Sequence, residues 1–198
     1  MGDLIVLENV YSNYTHTSPS LLDALSFPLS FSDESVWQQP RISVVKVLKN
    51  KAVSVAWLSN QNRAGSANYA STILTRAVDF KKWSRDFSIV PNASDFEPRV
   101  FDHDFVKNAL LDVRAAYSPS RRHVPLVTFI HFYAGHDPYL EMIPEAYRAS
   151  IDSKLEDSAN PEALLGKVYN GQYRIKEWND YDTAVRYVDA GSARVDVF

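Results

Sequence analysis

Apolar residues dominate one segment of this 198-residue chain, from Leu126 to Tyr133. A strand with one face in water alternates polar and apolar residues, so this run predicts a β-strand covered on both faces. Residues 134–138 follow with a glycine for a tight turn, then an aspartate and a proline that suit a helix start. Loops at the carboxyl ends of buried strands often hold ligands in α/β proteins, so this turn is the first candidate site.

In the N-terminal half, the pattern predicts a hairpin and two helices. The β-branched runs 42–48 and 52–58, separated by three polar residues, are typical of a β-hairpin. Helical spacing of apolar residues predicts a helix of about four turns that Ser66 caps and that extends to Phe80. A second apolar stripe predicts a helix that Asp102 caps.

The C-terminal part is predicted to contain short helices and then strands. Pro144 and Asn160 mark two helix starts. Alternating residues predict a strand over 173–178 and a hairpin that pairs 183–188 with 193–198. The N-terminal segment 4–10 is a further candidate strand.

These elements are mixed but do not repeat as βαβ units, which favours the α+β class. We expect one domain over residues 1–198. Its sheet is predicted to be mixed or antiparallel, with an N-terminal hairpin, a central buried strand and a C-terminal hairpin packed against three or four helices.

Composition excludes several kinds of site. The chain has no cysteine, so disulfides, thiolate zinc sites and cysteine nucleophiles are ruled out. The net charge of -3 gives no general attraction to nucleic acids or anionic membranes. No signal-peptide pattern and no apolar run of membrane-spanning length are present, so we expect a cytoplasmic or virion protein that does not bind membranes.

The first candidate group for chemistry is His131, His136 and Asp137. Two imidazoles and a carboxylate could hold a catalytic metal. A plainer interpretation is stronger, because Asp137 is explained as a helix cap and a strand histidine is usually hydrogen-bonded within the core. We therefore predict no metal and no cofactor, and keep these three residues as catalytic candidates.

The second candidate is an anion-binding loop formed by Arg63, Gly65 and Ser66. Free amides at a helix start beside an arginine can hold a phosphate. Asn62, Gly65 and Ala67 give this loop a resemblance to the coenzyme-A loop of the acetyltransferases related to histone acetylases, with asparagine as a departure at the first place. That resemblance implies an acyl-CoA acyltransferase.

The third candidate is a basic segment around residues 114–123. Arg114, Tyr117, Arg121 and Arg122 combine positive charge with an aromatic ring, as in surfaces that bind nucleic-acid backbones. A solvated surface or an acidic protein partner explains the same residues.

No complete catalytic motif is present, while aromatic residues, which suit interfaces, make up 13% of the chain. We therefore expect a structural or assembly protein that forms a homo-oligomer or binds a protein partner, such as a viral or phage structural subunit. Two alternatives stay open. The first is a small-molecule enzyme, either a metal-dependent hydrolase or an acyltransferase, with its site at the end of strand 126–133. The second is a nucleic-acid-binding protein.

Overall fold

A computed structural model of the chain describes residues 16–30, 34–63, 69–85, 100–117, 123–135, 139–149 and 175–192. It confirms the α+β class, because helices are combined with a two-stranded antiparallel sheet and a three-stranded parallel sheet. The elements are α1 (Thr17–Ala24), β1 (Ser26–Pro28), β2 (Arg41–Ser43), α2 (Val44–Asn50), β3 (Ser54–Asn62), α3 (Tyr69–Leu74), β4 (Phe80–Arg85), α4 (Asp102–Ala116), β5 (Leu126–His131), α5 (Glu145–Arg148) and α6 (Ile175–Ser192).

Strand β3 is the centre of the parallel sheet. It pairs with β4 on one side and with β5 on the other, in the order β4-β3-β5. Ser59 lies opposite both Trp83 of β4 and His131 of β5. Residues 54–61 of β3 are all buried, whereas β5 is half-buried. The strand predicted over residues 126–133 is therefore present but ends at His131, and β3 is the strand covered on both faces.

Helices cover both faces of this sheet. Ala56 and Leu58 pack with buried residues of α4 on one face, and Trp57 packs with α1 and α3 residues on the other. Helix α4 begins near the carboxyl ends of the strands, where Asp102 bonds to Asn60. It ends at the opposite edge, where the Tyr117 hydroxyl donates to the carbonyl of Val124 just before β5.

The predicted hairpin over 42–48 and 52–58 is wrong. Residues 44–50 form α2, whose start is capped by the Ser43 hydroxyl, 3.2 Å from the backbone nitrogen of Lys46. Strand β2 pairs with β1 instead. β-Branched residues favour strands only weakly, and here a serine cap and the packing of Val45 (1% exposed) outweigh that preference.

Two further predictions of secondary structure need correction. The helix expected to extend to Phe80 ends earlier: α3 (Tyr69–Leu74) is followed by a 3₁₀ turn, and Phe80 begins β4. Ser66, the predicted cap, lies outside the described residues. The strands expected over 173–178 and 183–188 lie largely within the helix α6. Burial of Ala184 and Tyr187, with Val185 44% exposed, follows helical spacing instead of the two-residue period of a strand.

The predicted strands 4–10 and 193–198 and the helix after Asn160 lie outside the described residues. Helix α5 begins at Glu145, directly after Pro144, as expected. Within the ranges that the structure describes, no helix has the length and hydrophobicity needed to cross a membrane.

Helix α6 contacts the start of α4 through one aromatic group. Tyr187 is fully buried, and its ring stacks on His103 with centroids 3.9 Å apart. The His103 backbone N–H donates to the Tyr187 hydroxyl (3.4 Å), and Tyr147 contacts both rings edge-on. Burial raises the pKa of Tyr187 to about 12, and the nearby charges of Asp102 and Asp104 act in the same direction.

The raised pKa of Tyr187 makes stability depend on pH above 10. The unfolded tyrosine ionises near its ordinary value of 10.0, whereas the folded one stays neutral until about 12. Its contribution is therefore complete below pH 10 and is lost as the pH rises through 12, by about 3 kcal/mol. Urea unfolding of the wild type and Tyr187→Phe across this range should show a steeper loss in the wild type. Equal slopes would contradict this assignment.

Candidate functional site

Polar side chains are concentrated where β3 and β5 end. Ser59, Asn60 and Gln61 occupy the last part of β3 and are 1%, 5% and 7% exposed, although all three are polar. His131 is the last residue of β5, and it lies opposite Ser59. Because parallel strands place their carboxyl ends at one edge, this edge of the sheet has the geometry that commonly forms ligand sites.

The two nitrogens of the His131 ring have different partners. Its Nδ1 is 3.2 Å from the Ser59 hydroxyl oxygen, and its Nε2 is 3.0 Å from the side-chain nitrogen of Gln61. The same Gln61 nitrogen is 3.4 Å from the carbonyl oxygen of Phe132, so it donates in both contacts. His131 Nε2 therefore accepts and Nδ1 carries the proton, which makes the ring a neutral imidazole held between two strands.

Asp102 lies behind the same edge, at the first position of α4. Its Oδ1 accepts from the Asn60 side chain at 2.7 Å and from the Tyr133 backbone nitrogen at 2.9 Å. Its Oδ2 accepts from the backbone nitrogens of Ala134 at 2.7 Å and Tyr133 at 3.1 Å. The predicted capping role of Asp102 is wrong: Phe101 occupies the N-cap position, and the carboxylate bonds instead to the ends of β3 and β5.

The sequence alone indicates His131 near this edge but does not identify its partners. The polar and small residues 60–65 on their own predict a loop, yet Asn60 and Gln61 lie within β3. The available signal was their position directly after the apolar residues 55–58, since polar residues that continue a buried strand need side-chain partners. Asp102 stands at the start of an apolar helical stripe, so the role of a helix cap explains it from its sequence neighbours alone.

Arg63 follows β3 directly and therefore lies at the same edge as His131. Its guanidinium lies 5.3 Å from the centre of the Trp83 ring, in a cation–π arrangement. The predicted partners Gly65 and Ser66 in the anion-binding loop lie outside the described residues, as do His136 and Asp137. The anion loop and the catalytic role of His136 and Asp137 therefore stay predictions.

Arg114 and Tyr117, the described residues of the basic segment, lie at the other edge of the sheet. Arg114 lies in the last turn of α4, and the Tyr117 hydroxyl is bonded to the Val124 carbonyl, so this ring has a local structural role. Arg121 and Arg122 lie outside the described residues. The nucleic-acid surface stays a prediction, separate from the edge that holds His131.

Metal-ligating side chains do not converge in the described ranges. No group of three or more histidine, aspartate or glutamate residues there could hold a metal ion. His131 is bonded through both ring nitrogens, Asp102 accepts from three donor groups, and His103 Nε2 donates to the Tyr187 carbonyl at 2.9 Å. These residues do not fit a zinc centre.

The fold resembles a bacterial periplasmic domain. The C-terminal periplasmic domain of EcEptC from Escherichia coli, solved in complex with Zn, is similar with a TM-score of 0.57 and 20% identity, over 88% of this chain and 43% of that one. A second structure of that domain gives a TM-score of 0.50 and 18% identity, over 92% and 52%. A Vibrio parahaemolyticus protein in the alkaline phosphatase superfamily gives 0.45 and 16%, over 91% and 40%.

This chain thus spans about half the length of the solved domains that it resembles. No protein-family model and no curated protein matches it. The likeness establishes the fold. It also corrects our expectation of a viral or phage structural subunit, because the solved domain with this fold is a periplasmic domain of a bacterial protein. The homo-oligomer or protein partner stays a prediction.

The hydrogen bonds of His131 predict the response of its ring to a change at position 61. In the wild type, nitrogen NMR should show a protonated Nδ1 and an unprotonated Nε2. Gln61→Glu replaces the donor with a carboxylate that only accepts, so Nε2 should become protonated. Gln39→Glu, at a side chain that bonds to Glu34 and Arg41, is the control. An unprotonated Nε2 in both variants would contradict the proposed geometry.

Proposed function

We propose that this chain forms part of an enzyme that hydrolyses or transfers an ester group of a small molecule, with its site at the carboxyl edge of the parallel sheet. The observation that carries the proposal is the polar group at that edge, in which the half-buried His131 ring bonds to the buried Ser59 and Gln61. The likeness of the fold to the EptC domain, which extends over 88% of this chain, supports it.

The described residues suit a supporting role around a reacting group. His131 is neutral and held by hydrogen bonds between β3 and β5, so it can orient a reacting group that lies beyond the strand ends. Arg63 provides a positive charge at the same edge, which favours a substrate that carries a negative charge. A chromogenic phosphate monoester combines an ester with such a charge, and the neighbours make it the first substrate to assay.

His136 and Asp137 are the proposed reacting groups. They follow Gly135, within five or six residues of His131, and supply an imidazole and a carboxylate. An imidazole can move a proton near neutral pH, and a carboxylate can orient it. Their assignment rests on the sequence, together with the position of the preceding turn at the end of β5.

The compartment of this enzyme is a separate proposal. The solved domains that this chain resembles are periplasmic. A chain without cysteine folds without disulfides in either a reducing or an oxidising compartment. The cytoplasmic location stays a prediction, and the periplasm is the alternative that the neighbouring domains support.

Substitution of His136 tests the proposed reaction. We expect the wild type to cleave a chromogenic phosphate monoester and His136→Ala to lower kcat by about 100-fold or more, because a positioned acid or base contributes that much. His123→Ala makes the same change at an exposed histidine near the opposite edge and should retain activity. Equal loss in both variants, or an inactive wild type with a panel of esters, would refute the proposal.

Zinc titration tests the assignment of His131 as a positioning group. Both ring nitrogens are already hydrogen-bonded, so we expect added zinc to leave the His131 ring signals of the wild type unchanged. We also expect the zinc content of His131→Ala, measured by elemental analysis, to equal that of the wild type. Loss of zinc in His131→Ala would show that the ring is a ligand and would overturn this role.

A further inference from the structure

Asp102 is a fully buried carboxylate whose bonds all lead to the proposed site. It is 0% exposed, and three donor groups surround it: the Asn60 amide and the backbone N–H groups of Tyr133 and Ala134. None of these donors is a charged side chain. Burial of an ionised carboxylate is costly without a cation, and charge-assisted bonds to several N–H groups offset part of that cost.

The donors belong to the ends of two different strands. Asn60 lies between Ser59 and Gln61, the two partners of His131 on β3. Tyr133 lies two residues after His131 on the chain that leaves β5. A single carboxylate therefore holds both backbone segments that determine where the His131 ring and its partners lie.

The start of α4 is itself favourable for this charge. Asp102 is the first residue of a 15-residue helix, where unpaired N–H groups create a positive potential. Helix α4 is fixed to the sheet by Phe105, Val106, Ala109 and Val113, all buried against β3 residues. The carboxylate is thus attached to a rigid support, which a positioning group requires.

We propose that Asp102 is a positioning residue of the active-site edge: it fixes His131 by bonding the ends of β3 and β5 to the start of α4. This inference rests on the proposed function for its role in catalysis. The anchoring itself is a property of the folded chain and can be measured without any substrate.

Asp102→Asn tests the anchoring directly. Asparagine has nearly the same shape but only one acceptor oxygen, and its NH₂ group would face an N–H donor. We expect amide hydrogen exchange at Tyr133 and Ala134 to become at least ~10-fold faster than in the wild type, while Ala109 in the middle of α4 keeps its protection. The His131 ring nitrogens should shift as well.

Asp104→Asn is the matched control. It removes the same charge from the same turn of α4, but Asp104 is exposed. We expect this variant to retain wild-type exchange at residues 133 and 134 and wild-type kcat. In Asp102→Asn, kcat should fall about 10-fold with little change in KM, because the substrate contacts remain while the ring is displaced.

Asn60→Ala provides a second variant in case Asp102→Asn does not fold. It removes the β3 half of the anchor, together with the bond from the Asn60 side chain to the Val100 carbonyl (2.9 Å). Exchange at Tyr133 and Ala134 should stay slow while the His131 ring signals shift. The proposal is overturned if neither variant shifts those signals, or if Asp104→Asn has the same effect as Asp102→Asn. An inactive wild type with the expected exchange and ring shifts would refute the enzyme and leave the anchoring established.

Discussion

The constraint on which this structure depends is the burial of the polar end of β3. Residues 55–58 bury apolar side chains on both faces, and the strand then continues into Ser59, Asn60 and Gln61, which are buried as well. Polar groups removed from water must find partners inside the protein. Ser59 and Gln61 find theirs on His131, and Asn60 finds its partner on Asp102. The placement of β5 and α4 is therefore tied to the chemistry of three consecutive residues.

The same requirement links the more distant helix α6 to the sheet edge. His103 follows Asp102 and stacks on Tyr187, whose carbonyl accepts from the His103 ring. Tyr187 also packs in an apolar cluster with Ala134, the residue whose N–H is bonded to Asp102. The start of α4 therefore connects β3, the turn after β5 and α6. A change that moves α4 would be transmitted to all three.

Much of the fold class, but less of the local structure, could be predicted from the sequence. The strand at 126–131 and the helix from Asp102 followed from strong patterns of apolar residues. The hairpin prediction was wrong because valines that suit a strand are also tolerated in a short capped helix such as α2. In the site, His131 could be found from its position at a strand end. Its partners could not, because Asn60 and Asp102 are 42 residues apart in the chain and each has a local explanation.

Helix α4 runs between the two polar regions that the sequence indicates, one around His131 and Arg63 and the other around Arg114. This helix begins beside Asn60 and ends beside Val124, so it carries the chain from the carboxyl edge to the amino edge of the sheet. His131 and Arg63 consequently lie at one edge and Arg114 at the other. Buried, mutually bonded polar groups mark the first edge, whereas Tyr117 at the second is explained by one bond to the backbone. Catalysis requires polar groups held in fixed positions, and we therefore place the proposed active site at the carboxyl edge.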